Sequence, residues 1–247
     1  MDLRVAVLIL ALIAFHAPSQ AQFGSGKGEK KMGQARTDSG KNAIQASGLR
    51  PVYPVEARCP EIASPYASPT RYDGSARAPW AFGGLHGGID ISLDEGTPLL
   101  ALAAGTVAMK GEGGMLEGIY LWLRHAPEDT GLAYWVYSKY QHLESMPDLE
   151  HGAPVRLGQV IARSGRTGTV GKHYGMSGYP HLHLTTRKSP EDVVTVGSRE
   201  SFGGAALLDP LAIYHEAGAV PIPYATADGK IATPGARVVW PVACRPK

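Results

Sequence analysis

Cysteine is nearly absent from this chain of 247 residues: Cys59 and Cys244 are the only two, and no C-x-x-C spacing occurs. That excludes a thiolate zinc cluster, whose ligands come in closely spaced pairs. In an oxidising compartment the two can form one disulfide tying the C-terminal segment to the first strand; otherwise they are two separate thiols. Charge of one sign is lacking as well. The 24 Lys plus Arg against 22 Asp plus Glu leave a formal +2, without the basic footprint of a nucleic-acid binder. No apolar run beyond residue 15 approaches the roughly 20 residues that span a bilayer. Long helix-periodic stretches are few, and no solenoid repeat is visible. What the chain does have is glycine, 31 residues, and proline, 19, the punctuation of a turn-rich β protein.

The apolar run from Val5 to Phe15 follows Arg4 and precedes Ser19-Gln20-Ala21, a small-residue cleavage site, so residues 1–21 read as a secretory signal. Export to the periplasm or the medium is the expected fate. Residues 22–50 are rich in Gly, Lys, Ser and Gln without apolar periodicity and read as a flexible tail. Residues 51–217 form the expected folded domain, and the Pro-rich residues 218–247 an extension packed on it. Ile119, Leu121 and Leu123 alternate with Tyr120, Trp122 and Arg124, which predicts a strand with one buried face. The stretches Pro98 to Val107, Ala133 to Leu143 and Gln159 to Ala162 behave similarly, and Leu207 to Ala217 is expected to be a short helix. Short strands at this spacing predict an all-β sandwich or barrel.

The chemistry concentrates in histidines. In His181-Leu182-His183 both imidazoles share one face of a strand, roughly 6–7 Å apart, too wide for both to bind one zinc easily at about 2.0–2.1 Å. One can ligate while the other faces bound water. Upstream lies His86-Gly87-Gly88-Ile89-Asp90. On a straight strand His86 and Asp90 would be roughly 13 Å apart, and glycine costs about 1 kcal/mol relative to alanine in a helix. A turn or bulge at Gly87-Gly88 instead lets His86 fold back to Asp90, which shares the open face of the following strand with Ser92, opposite Ile89 and Ile91. His142 ends the stretch Tyr137 to Leu143; alternation puts it on the face of Tyr140, opposite Leu143.

Taken in order, Gly84-Leu85-His86-Gly87-Gly88-Ile89-Asp90, Gly96-Thr97-Pro98, Gly105-Thr106-Val107, Tyr140-Gln141-His142-Leu143, Gly158-Gln159-Val160-Ile161, Gly165-Arg166-Thr167-Gly168, His181-Leu182-His183 and Asp209-Pro210-Leu211 resemble the lysostaphin/LytM-type zinc metallopeptidases of bacterial cell-wall peptidoglycan. The resemblance covers about residues 54 to 214. It implies a compact antiparallel β-sandwich or barrel-like core, with His86, Asp90 and His183 as ligands of Zn2+ and His142 and His181 as the catalytic pair. It implies peptidoglycan peptides as partners; the charge balance and the apolar runs lead us to expect neither nucleic acid nor a membrane segment once the signal is removed, and a monomer is expected. Three protein ligands leave one position for a water whose pKa falls toward about 7. Two departures bear on specificity. The connection from Thr169 to Pro180 is longer than the family's, and Thr185-Thr186 stand where an aromatic and an acid are common.

Within that longer connection Tyr174 and Tyr179 are candidates for substrate contact, and His173 for adventitious ligation. His125, His151 and His215 have no motif around them and read as structural or surface residues. Other H-x-H metal folds fail on spacing. A metallo-β-lactamase-like site would need Asp where Thr185 stands, a cupin Glu at Thr186 or Arg187, and an α-type carbonic anhydrase a third downstream histidine where only His215 remains. Two rivals stand within the same fold: a non-catalytic activator of cell-wall amidases, and an envelope module that holds zinc without turnover. An activator of that kind typically lacks some of the five positions, all of which are filled here.

Overall fold

The computed structural model describes residues 44–169, 178–193 and 204–247. The expected signal and most of the expected tail lie outside the described residues. The alternating segments become β-strands: β1 (Ala57–Arg58), β2 (Ile62–Ser64), β3 (Ile89–Ser92), β4 (Pro98–Leu100), β5 (Gly105–Glu112), β6 (Ile119–His125), β7 (Trp135–Gln141), β8 (Pro154–Val155), β9 (Val160–Arg163), β10 (His181–Ser189), β11 (Ala206–Leu208) and β12 (Arg245–Pro246). Among the described residues two short helices complete the set, α1 (Pro127–Thr130) and α2 (Pro210–Glu216). The main sheet runs β2-β3-β10-β7-β6-β5-β8, with β11 on β10, and its ladders are antiparallel. The protein is mostly β, as its composition and spacing predict.

One face of this sheet makes the core. Ile89 and Ile91 of β3, Leu182 and Leu184 of β10, Tyr140 of β7, and Leu121 and Leu123 of β6 are fully buried there. Burying each such side chain is worth about 1.5–3 kcal/mol, so the alternation carries its own driving force. The Tyr140 hydroxyl donates to Leu100 O at 3.0 Å and accepts from Leu102 N at 2.9 Å, stitching the sheet to the β4 segment. From the C-terminal residues, Trp240 is fully buried and donates its indole N–H to Pro60 O. Cys59 and Cys244 form a disulfide across 185 residues of sequence, next to the β1–β12 ladder.

Three expectations are revised. The stretch from Pro98 to Val107 is two strands, in different sheets. Leu207 and Leu208 belong to β11, and α2 starts only at Pro210, where Asp209 accepts from Leu211 N at 2.9 Å as N-cap and proline fits the first helical turn. Trp122, placed by alternation on an open face, is 3% exposed because Ala108, Tyr137 and Ala205 form a second, smaller apolar cluster there. Residues at the end of the expected tail are held on α2: Ser47 donates to Asp209, and His215 Nε2 donates to Arg50 O.

Two outcomes follow. Replacing both cysteines by serine should cost about 2–5 kcal/mol in denaturant unfolding, because the bridge closes a long loop in the unfolded chain; unchanged stability would contradict this. His125 is fully buried, donates Nδ1–H to Ala104 O and meets Ser138 Oγ, and burial pushes its imidazole down to about 4. Unfolded, it takes up a proton near pH 6.5. Its contribution is therefore whole above about pH 6.5 and is lost as pH falls toward 4, on the order of 3 kcal/mol. Denaturation of the protein and of His125→Gln across that range should show the variant losing less; parallel curves would refute it.

Candidate metal centre

The β3–β10 register sets Asp90 directly opposite His183 on the sheet face turned away from the core. His86 joins them from the bend before β3. The bend needs glycine at residue 88, because a Cβ there would lie 2.2 Å from Leu184 O and 3.1 Å from His183 Nε2. His86 Nε2, Asp90 Oδ1 and His183 Nδ1 then meet at 3.1, 2.7 and 3.0 Å from one another. Atoms bound tetrahedrally at about 2.0–2.1 Å would be roughly 3.3 Å apart, so this is a near fit for three ligands of one ion. The proton count agrees. His86 donates its Nδ1–H to Pro65 O at 2.9 Å, so its Nε2 turns a lone pair toward the Asp90 carboxylate. The three side chains are a metal-binding group.

His181 and His142 stand beside the triad and outside it. His181 Nε2 is 3.7 Å from Asp90 Oδ1, and the His142 and His181 rings are 4.6 Å apart. Each gives its Nδ1–H to a backbone carbonyl, His142 to Thr167 O at 2.8 Å and His181 to Tyr179 O at 2.9 Å, which leaves Nε2 as the open nitrogen. Burial, reinforced by the neighbouring imidazoles, pushes His142 well below the usual histidine range, and burial lowers His181 as well. Neutral rings with fixed tautomers accept protons at Nε2.

His142 does not lie on the face of Tyr140. Tyr140 is in the core, whereas His142 lines the groove, because its φ of +63° ends β7 and turns the side chain over the sheet. A left-handed backbone at a non-glycine residue is uncommon and gathers at functional sites. The Gly165-Arg166-Thr167-Gly168 turn supports it: Thr167 Oγ1 accepts from Ile119 N and donates to Leu143 O while its carbonyl holds His142. Tyr179 stacks on His181, centroids 4.3 Å apart, and so packs a histidine as well as lining the groove. His173 and Tyr174 lie outside the described residues. His125 is buried in the sheet, and His151 is exposed.

Sequence reasoning missed the groups behind the ligands. Arg77 Nη2 lies 3.4 Å from Asp90 Oδ2 and 2.7 Å from Ser64 Oγ, and Ser64 Oγ is 3.4 Å from His86 Nδ1. No motif surrounds Arg77, and only folding brings it to Asp90. Thr185 Oγ1 lies 2.9 Å from His183 Nε2. With Nδ1 turned into the triad, the ring proton sits on Nε2 and is donated to this hydroxyl, so the departure at Thr185 orients His183. Such outer partners typically carry 10–100-fold in metal affinity. Thr185→Val should bind metal at one equivalent but about 10-fold more weakly by chelator competition; unchanged affinity would remove this role.

Residues 84–195 match the model of Peptidase family M23. An uncharacterized metalloprotease of Haemophilus influenzae is 32% identical over 131 residues, 53% of this chain and 23% of that protein. The DD-carboxypeptidase/endopeptidase Mpg of Neisseria meningitidis serogroup B is 36% identical over 109 residues, 44% of this chain and 21% of its own length. The matched stretch thus spans less than a quarter of either relative. Among solved structures, the catalytic domain of lysostaphin from Staphylococcus simulans aligns at 24% identity over 63% of this chain and 90% of that one, with a TM-score of 0.40. The segment that carries His86, Asp90, His142, His181 and His183 is thus the part of the chain that matches peptidase family M23.

Proposed function

We propose that this chain is an exported zinc metalloendopeptidase that hydrolyses amide bonds in peptidoglycan stem peptides or cross-bridges. One observation carries the reading: a triad of converging donors and two further histidines with open Nε2 atoms line the same groove, about 380 Å³ in volume. His86, Asp90 and His183 would hold the ion, and two imidazoles with a carboxylate suit zinc. Bound there, zinc would polarise an amide carbonyl and lower the pKa of water toward about 7.

The remaining work falls to His142 and His181. One takes a proton from the attacking water at Nε2 and delivers it to the leaving amine, and the other hydrogen-bonds the developing oxyanion. Their Nδ1 anchors on Thr167 and Tyr179 keep both rings aimed throughout. The names of the two relatives, a metalloprotease and a DD-carboxypeptidase/endopeptidase, support peptide-bond hydrolysis. Export is supported by the disulfide, a bond that persists in oxidising compartments. Among the described residues no helix is long and apolar enough to cross a membrane.

Mass analysis of fragments released from two chemically distinct peptidoglycans tests the proposal. Release should require zinc, stop with a chelator, and fall about 10²–10⁴-fold in His181→Ala, the usual worth of a positioned acid–base group. Stoichiometric zinc without release from either wall would favour a non-catalytic activator of amidases. Turnover that survives both chelation and the substitution would overturn the mechanism.

A further inference from the structure

The groove is lopsided in charge. Among the described residues, Arg71, Arg77, Lys139 and Arg187 line it against two carboxylates, Asp90 and Glu117. That surplus of two positive charges equals the formal surplus of the entire chain. Both carboxylates are already engaged, Glu117 by Lys139 and Asp90 by the metal triad and Arg77. A divalent ion would add two more positive charges in a concave site that focuses the field.

Arg71 is built to use that field. Its turn is closed by Arg71 N donating to Ser75 O at 2.9 Å and Gly74 N to Arg71 O at 3.0 Å. Its Nη1 is tied to Ala76 O and to Ser75 Oγ within the same turn. The guanidinium is thereby held by one nitrogen, leaving the Nε–Nη2 edge, which is the fork that meets a carboxylate in two parallel hydrogen bonds. Arg77 stands near enough for the two positive charges to repel. An anion at this wall relieves that repulsion.

We infer that Arg71 is a specificity-determining residue that receives a free carboxylate of the bound peptide on its Nε–Nη2 edge. The groove then prefers peptides that carry an ionised carboxylate near the scissile amide. This rests on the peptidase reading, and either a chain-terminal or a side-chain carboxylate supplies the same chemistry.

The probe is a fluorescein-labelled peptide with one side-chain carboxylate and a free C-terminus, compared with its C-terminal amide and its side-chain amide. Binding is read by anisotropy on zinc-loaded His181→Ala protein, to keep the peptide intact, and kcat and KM on the zinc-loaded native protein. One amide should bind about 10-fold or more weakly, as for loss of a charged hydrogen-bonded pair, with the change in KM rather than kcat. That amide identifies the source of the carboxylate. Arg71→Gln should bind acid and amide alike, and Arg71→Lys should recover part of the preference. Equal binding of all three peptides, or a preference that survives Arg71→Gln, overturns the inference. Equal binding with rapid hydrolysis would do so while leaving the peptidase reading intact. A preference that vanishes in Arg71→Gln, without any hydrolysis by the native protein, would support the carboxylate site and overturn the peptidase reading instead.

Discussion

The pairing of Asp90 with His183 across the β3–β10 ladder is the constraint on which the site depends. The same register places Ile89 opposite Leu184 and Ile91 opposite Leu182, all fully buried. A slip of one residue would send these apolar side chains to the groove and the ligands into the core, since the side-chain period of a strand is two. The free energy of burying the apolar face therefore fixes the polar face, and Asp90 and His183 come into line with it. Gly88 completes this arrangement by letting the backbone ahead of β3 pass against Leu184 O, where a methyl group would collide.

Around that ladder the histidines are sorted by their second nitrogen. His86 and His183 are anchored at the ring atom that faces away from the triad, by Pro65 O and Thr185 Oγ1. His142 and His181 are anchored by carbonyls of Thr167 and Tyr179. A backbone carbonyl can only accept, so three of the four tautomers are set by main-chain geometry. Arg77 and Ser64 lie ahead of residues 84–195, yet they connect the backs of Asp90 and His86. The metal centre thus extends beyond the family segment that contains its ligands.

Four of the five histidine and aspartate positions were legible because the pattern that exposes them is local, H-x-H on a strand and a glycine pair between His86 and Asp90, whereas His142 was singled out only by the resemblance. The strands were legible for the same reason, as at Ile119 to Leu123. Legibility failed where the backbone leaves a regular period. His142 reads as a continuation of β7 until its left-handed φ turns it over the sheet. Trp122 reads as exposed until Ala205 and its neighbours cover that face. Leu207 and Leu208 read as helix because apolar residues near a helix start fit either period, and only pairing with β10 makes them a strand.

By itself the sequence determined which residues could bind metal and which faces would be buried, because both follow from side-chain chemistry and short-range periodicity. Tertiary structure decided what stands behind those residues. The partners of Asp90, His86 and His142 lie 13, 21 and 25 residues away in the chain, at Arg77, Pro65 and Thr167. Cys59 and Cys244 had two fates open in the sequence, and the disulfide forms where β1 and β12 pair. The charge of the groove is likewise a product of folding. Four bases and two acids, scattered from Arg71 to Arg187, add to nothing notable in composition until strand pairing gathers them around one cavity.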